Sequence, residues 1–125
     1  MAINSICVYC GSSDKVAAKF LDAATLVGRG LAERKMRLVF GGGSTGLMGA
    51  VADGALARQG EVVGVIPEHL EREELIHQGL TRLEVVDDMH QRKARMFQLS
   101  DAFIALPGGF GTIRLPRARV AMAIM

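Results

Sequence analysis

Acidic side chains stop at Asp101 in this chain, and tryptophan is missing altogether. Cysteine is scarce. Cys7 and Cys10 have the spacing C-x-x-C, but no second pair of ligands stands elsewhere, so a metal site is not expected. A redox pair is disfavoured on other grounds. A dithiol motif needs both sulfurs at a helix N-terminus, whereas Ile3 to Tyr9 reads as a strand, on which residues three apart face opposite sides. Long apolar runs are also missing. The longest uncharged stretch, Leu38 to Ala52, carries five glycines and is too short to span a bilayer. The first residues lack the basic and apolar blocks of a leader, so a cytoplasmic location without a membrane partner is expected.

Half of the 125 residues are apolar, enough for one domain with a core of its own. The 15 glycines fall mostly in clusters, which marks specific loops. Charge is unevenly spread. Residues 1–112 carry 12 Lys/Arg against 13 Asp/Glu, and residues 113–125 carry Arg114, Arg117 and Arg119 with no acid. The chain therefore divides into a nucleotide-binding-type domain, 1–112, and a divergent basic tail, 113–125. Three arginines without aromatic neighbours do not make a nucleic-acid platform, and no nucleic-acid partner is expected.

The order of elements is regular. Strands are expected at 3–9, 37–40, 61–66, 83–86 and 102–106, with helices over about 15–35, 47–58 and 89–99. Glu68 to Gly79 reads as short helix or loop. Phe20, Ala24, Val27 and Leu31 form the apolar stripe of the first helix, and close packing is the expected reason for Gly28 and Gly30 in its interior. Leu47, Val51, Ala55 and Leu56 form the buried face of the second helix. Asp87 or Asp88 caps the third. This alternation predicts an α/β fold, a Rossmann-like parallel sheet of about five strands with helices on both faces.

Three strands end in small-residue loops: Gly11–Ser13, Gly41–Gly46 and Gly108–Thr112. In a parallel sheet all three fall on the carboxyl edge, where ligands bind and where strand order reverses. Backbone amides there suit a phosphate. The middle loop is not a Walker loop, because no Lys-Ser/Thr follows its last glycine. No acid ends the next strand, where Ile66-Pro67 stands, so ribose binding of the NAD type is disfavoured.

The helix at 89–99 supplies a second constellation. Met89, Arg92, Met96 and Leu99 share one face, which puts a cation on an apolar stripe. Either its head turns outward or meets a structural carboxylate such as Asp101, or it meets an anionic substrate or an acid in the cleft. Lys93 and Arg95 read as solvated surface, and His90 as a rim residue.

Met89-His90-Gln91-Arg92-Lys93, followed by Pro107-Gly108-Gly109-Phe110-Gly111-Thr112, resembles the Lonely Guy family of cytokinin riboside 5′-monophosphate phosphoribohydrolases, long mislabelled as lysine decarboxylases. Cys10-Gly11-Ser12-Ser13 and Gly41-Gly42-Gly43-Ser44-Thr45-Gly46-Leu47-Met48-Gly49 fit the same family in order and spacing, so the resemblance covers about residues 1–112. It implies a homodimer that hydrolyses the N-glycosidic bond of AMP or an N6-prenylated AMP, giving free base and ribose 5-phosphate. It implies no cofactor, and a nucleoside monophosphate as the small-molecule partner. Carried onto this chain, substrate and phosphate contacts fall to Gly11, Ser12, Gly42, Gly43, Ser44, Met89, Arg92, Lys93, Pro107, Gly108, Gly109, Gly111 and Thr112, with Arg92 also catalytic. The decarboxylase label fits poorly, since nothing marks Lys15, Lys19, Lys35 or Lys93 as a pyridoxal-phosphate lysine.

The departure comes three residues past Thr112. The family pattern is P-G-G-x-G-T-x-x-E, and Leu115 occupies the glutamate position. An oxocarbenium-like transition state needs a carboxylate to stabilise the cation and activate water. Without one, binding with weak or no hydrolysis is expected. The family's further C-terminal elements are expected to be missing. An altered reading frame and a divergent relative both account for residues 113–125.

Overall fold

Among the described residues, every pairing between strands of the sheet is parallel. The structure, a computed structural model, describes residues 3–11, 15–71 and 75–106, together with the strand pairing of 120–122. In chain order its elements are β1 (Ser5–Tyr9), α1 (Ala18–Glu33), β2 (Arg37–Phe40), α2 (Gly46–Leu56), β3 (Val62–Pro67), β4 (Arg82–Val86), α3 (Met89–Leu99), β5 (Ala102–Ala105) and β6 (Val120–Met122). They form one sheet in the order β4-β3-β2-β1-β5-β6. Strands covered on both faces read as unbroken apolar runs, and β3, Val62 to Pro67, is buried throughout.

The two faces are covered differently. α1 and α2 lie together on one face, over Ile6, Val8, Leu38, Phe40 and Val62. α3 lies on the other, where Met96 packs with Cys7, Val39, Val63, Val65 and Phe103. The expected stripe of α1 is in place: Ala24 and Leu31 are buried, and Phe20 and Val27 pack against them. Gly28 lets the two helices approach to backbone contact, since a Cβ there would overlap the Val51 carbonyl oxygen. Gly30 has a different surrounding. Its nearest neighbour is Nη1 of Arg34 at 3.2 Å, so close helix packing is not its reason.

Two features go beyond the sequence reading. The described residues of the β3–β4 crossover hold a single 3-10 turn, Glu68–Leu70, and a segment, 75–81, that runs beside α2. No helix forms there because the segment bonds outward, to the glycine loop at one end and, through Thr81, to Val62 at the other. The second is β6, inside the basic tail. Its apolar residues pair with β5, covering the row of backbone groups that β5 would otherwise leave open as an edge strand.

Candidate functional site

Strand order reverses between β1 and β5, which sets a crevice at the carboxyl ends of the two strands. The Leu106 amide donates to the Tyr9 carbonyl at 2.9 Å, so β5 delivers the chain to that edge. Pro107, Gly108, Gly109, Gly111, Thr112 and Leu115, and Ser12 of the first loop, lie outside the described residues. Gly11 is described. Its carbonyl accepts from the Met48 amide at 3.1 Å, tying the loop after β1 to the first turn of α2.

The Gly41–Gly46 loop is tightly fitted. Gly42 has φ +85°, in the left-handed region that favours glycine, and its Cα faces that of Gly64 so closely that a Cβ on Gly64 would come within 2.9 Å. Gly41 has no room for a side chain either: a Cβ would overlap Nη2 of Arg92 and come within 2.7 Å of Met48 Cε. Gly42 and Gly43 are buried, and Ser44 is exposed at the tip. The Ser44 amide and hydroxyl both donate to the Leu75 carbonyl, at 2.8 and 2.9 Å. The Ser44 and Met48 amides are thus engaged within the protein. The amides of Gly46 and Leu47 open α2 ahead of any intrahelical acceptor.

Arg92 follows neither form of the structural alternative read from the sequence. Its side chain is buried, and it points neither to solvent nor to Asp101. Nε donates to the Val65 carbonyl at 2.8 Å and Nη2 to the Gly41 carbonyl at 2.6 Å, so the guanidinium staples α3 to the carboxyl ends of β2 and β3. Asp101 sits at the opposite edge, where its carboxylate accepts from the Asn4 and Ser5 amides at 2.9 and 3.1 Å. The sequence could not exclude that pairing, because it gives no distance between helix start and strand start. Asp88, not Asp87, caps α3, accepting from the Gln91 amide at 2.8 Å.

Beside Arg92 lies a pocket of about 160 Å³, lined among others by Tyr9, Gly41, Met48, Met89, Lys93 and Met96. The structure therefore brings Met89, Arg92 and Lys93 to the same edge as the first two glycine loops. Met48, Met96 and Tyr9 were not among the site residues read from the sequence. Tyr9 carried a usable signal, as the chain's one tyrosine at the carboxyl end of a strand. Its ring stacks on Phe103 at 5.8 Å, and burial, with Cys7 beside it, holds its hydroxyl above the ordinary range. Cys7 and Cys10 are buried on opposite faces of the sheet, as their spacing predicted. Burial pushes both thiols up to about 12, so neither is a ready nucleophile. Lys93 and His90 are exposed at the rim, and Arg95 meets Glu84 at 2.6 Å. Among the described residues no group of three or more His, Cys, Asp or Glu could hold a metal ion, and no helix is long and apolar enough to cross a membrane.

A family profile described as "Possible lysine decarboxylase" matches residues 48–114, just over half of the chain. The chain belongs to this family, the Lonely Guy family. A cytokinin riboside 5′-monophosphate phosphoribohydrolase of Rhodococcoides fascians is 53% identical over 110 residues, covering 87% of this chain and 56% of that protein. A probable enzyme of the same name from Oryza sativa subsp. japonica is 50% identical over 108 residues, covering 86% and 44%. This Lonely Guy chain thus spans about half the length of the curated relatives it matches. Among solved structures, the molybdenum cofactor carrier protein of Chlamydomonas reinhardtii superposes with a TM-score of 0.71 at 24% identity, over 86% of this chain and 63% of that one. The molybdenum cofactor binding protein of Rippkaea orientalis gives 0.72 at 22%, over 90% and 66%. At that identity the likeness shows the shared fold alone.

Proposed function

We propose that the carboxyl edge binds a nucleoside 5′-monophosphate and that its chemistry is phosphoribohydrolase-type. AMP or an N6-prenyl-AMP would be cleaved at the N-glycosidic bond to free base and ribose 5-phosphate. The observation that carries this is the match to phosphoribohydrolases at about half identity through the residues that build this edge. Phosphate would sit against the amides opening α2 and against Pro107–Thr112. Gly11, Ser12, Gly42, Gly43 and Ser44 would shape that end, and Met89 and Lys93 would line the sugar and base side. Because Arg92 bonds two strand carbonyls, its first task would be to fix the geometry of Gly41, with its charge felt across the pocket. A cytoplasmic homodimer belongs to the same reading.

Leu115 cannot supply the carboxylate that an oxocarbenium-like transition state needs. Loss of such a group costs a factor of roughly 10²–10⁴ in rate. Incubating the protein with AMP and isopentenyl-AMP and measuring free base tests this directly. Weak turnover that rises in Leu115→Glu is expected. Turnover equal to that of longer relatives would sink the assignment of Leu115 as the disabling residue.

The same leucine favours a second reading, a non-catalytic module that binds a nucleotide or phosphorylated cofactor, as the names of the molybdenum cofactor carriers suggest for that fold. Calorimetry with AMP separates the readings from a bare structural domain: no binding of any nucleoside monophosphate would count against both.

A further inference from the structure

Residues 75–77, at the start of the segment beside α2, are bonded to the glycine loop. Leu75 accepts from the Ser44 amide and hydroxyl, Ile76 forms an antiparallel bridge with Gly43, and the His77 amide donates to the Gly42 carbonyl at 2.9 Å. Residues 75–77 thus act as an added strand, laid antiparallel on 42–44. Thr81 ties the far end of the segment to Val62, and the tie to α2 runs through His77. His77 Nδ1 accepts from the Gly79 amide at 2.9 Å, and an N–H can only donate, so the ring proton sits on Nε2. Nε2 then donates to Asp53 Oδ1 on α2 at 2.6 Å. Both ring nitrogens are spent, which rules His77 out as a general base in this arrangement.

We propose that His77 is a positioning residue: by pinning the 75–79 strap to α2 through Asp53, it fixes the conformation of the Gly42–Ser44 loop from outside. The loop is packed on its inner side, Gly42 against Gly64, and the Gly41 carbonyl takes Arg92, which leaves the strap to hold its outer side. Its glycines contribute no side chains, Gly42 holds a positive φ, and Ser44 is exposed. The outer side of the loop is therefore held by the strap's hydrogen bonds, and the strap's anchor steadies them. The consequence for ligand binding rests on the nucleotide reading above, but the mechanical claim does not.

The two ring nitrogens can be separated by substitution. In His77→Gln the amide nitrogen reaches the place of Nε2 and keeps the tie to Asp53. In His77→Asn the side chain is too short for Asp53 but can still accept from Gly79. Hydrogen exchange by NMR on the full chain reads the outcome. Exchange of the Ser44 and His77 amides is expected to rise on the order of tenfold in His77→Asn and in Asp53→Ala, to stay near the parent value in His77→Gln, and to be unchanged in α3 and β5 throughout. The double variant His77→Asn/Asp53→Ala should be no faster than either single. Unchanged Ser44 exchange in His77→Asn would overturn the proposal. So would acceleration spread equally over α3 and β5, which would make His77 a general prop of the fold. AMP titration of the same variants is a separate arm. Faster exchange with unaltered AMP affinity would leave the strap in place and remove the nucleotide from this loop.

Discussion

The two ends of the sheet each carry a bonded arginine, and the contrast between them separates space from chemistry. The amino end holds the larger hollow, about 880 Å³, lined among others by Asn4, Arg37, Arg58, Glu61 and Asp101. The carboxyl end holds about 160 Å³. Yet the large hollow is ringed by groups that satisfy one another. Arg37 donates to the Ser5 hydroxyl at 3.0 Å and to the Leu99 carbonyl at 2.8 Å, and Asp101 takes the Asn4 and Ser5 amides. The C-termini of α1, α2 and α3 gather there, and a cation suits their carbonyls. At the other end the helix N-termini, the glycine loops and the reversal of strand order converge. Volume records how far helix ends splay apart, whereas binding chemistry follows the direction of the backbone.

The sharpest test of the contrast is Arg92→Ala. It would strip donors from two buried carbonyls, and a loss of about 2–4 kcal/mol in denaturant unfolding is expected. Arg92→Lys should recover only part, because an ammonium cannot span both acceptors as the guanidinium fork does. Next is Gly41→Ala, expected to cost about 1–3 kcal/mol by overlap with Arg92 and Met48. Combined with Arg92→Ala the loss should be less than additive, and strict additivity would show that the two do not share a contact. Arg37→Ala at the amino end should cost only about 1 kcal/mol, since its partners lie closer to water. A loss as large as that of Arg92→Ala would break the comparison.

The smallest effect concerns Glu84 on β4. The hydrogen bond from Arg95, with the charges of Arg95 and Arg82, holds its carboxyl below the ordinary value of 4.5. A depressed folded value means stability that is present above the unfolded value and lost as pH falls through the folded one. Glu84→Gln should therefore cost no more than about 1 kcal/mol at neutral pH, and the difference from the parent should vanish at strongly acid pH. Urea unfolding at both pH values measures it.

Much of the fold was legible because it follows from local periodicity. Short unbroken apolar runs marked β1–β5, Phe20-Ala24-Val27-Leu31 marked the buried face of α1, and an acid before Met89 marked the cap of α3. The strap was not legible, since residues 75–81 carry no period and their partners, Gly42, Ser44 and Asp53, are distant in sequence. β6 was hidden for a related reason: three apolar residues become a strand only when an edge stands beside them. Of the candidate site, the glycine loops, Met89, Arg92 and Lys93 came from motifs, while Tyr9, Met48 and Met96 emerged only when β1, α2 and α3 met.

The sequence by itself determined the alternation of strands and helices, the edge to which the glycine loops belong, and the leucine at position 115. These depend on residue identity and on spacing along one element. Only the tertiary structure decided what Arg92 bonds to, what holds the Gly41–Gly46 loop, and which residues wall the pocket. Each of those is a contact between elements far apart in the chain, and its geometry is set by packing, on which sequence spacing places no constraint.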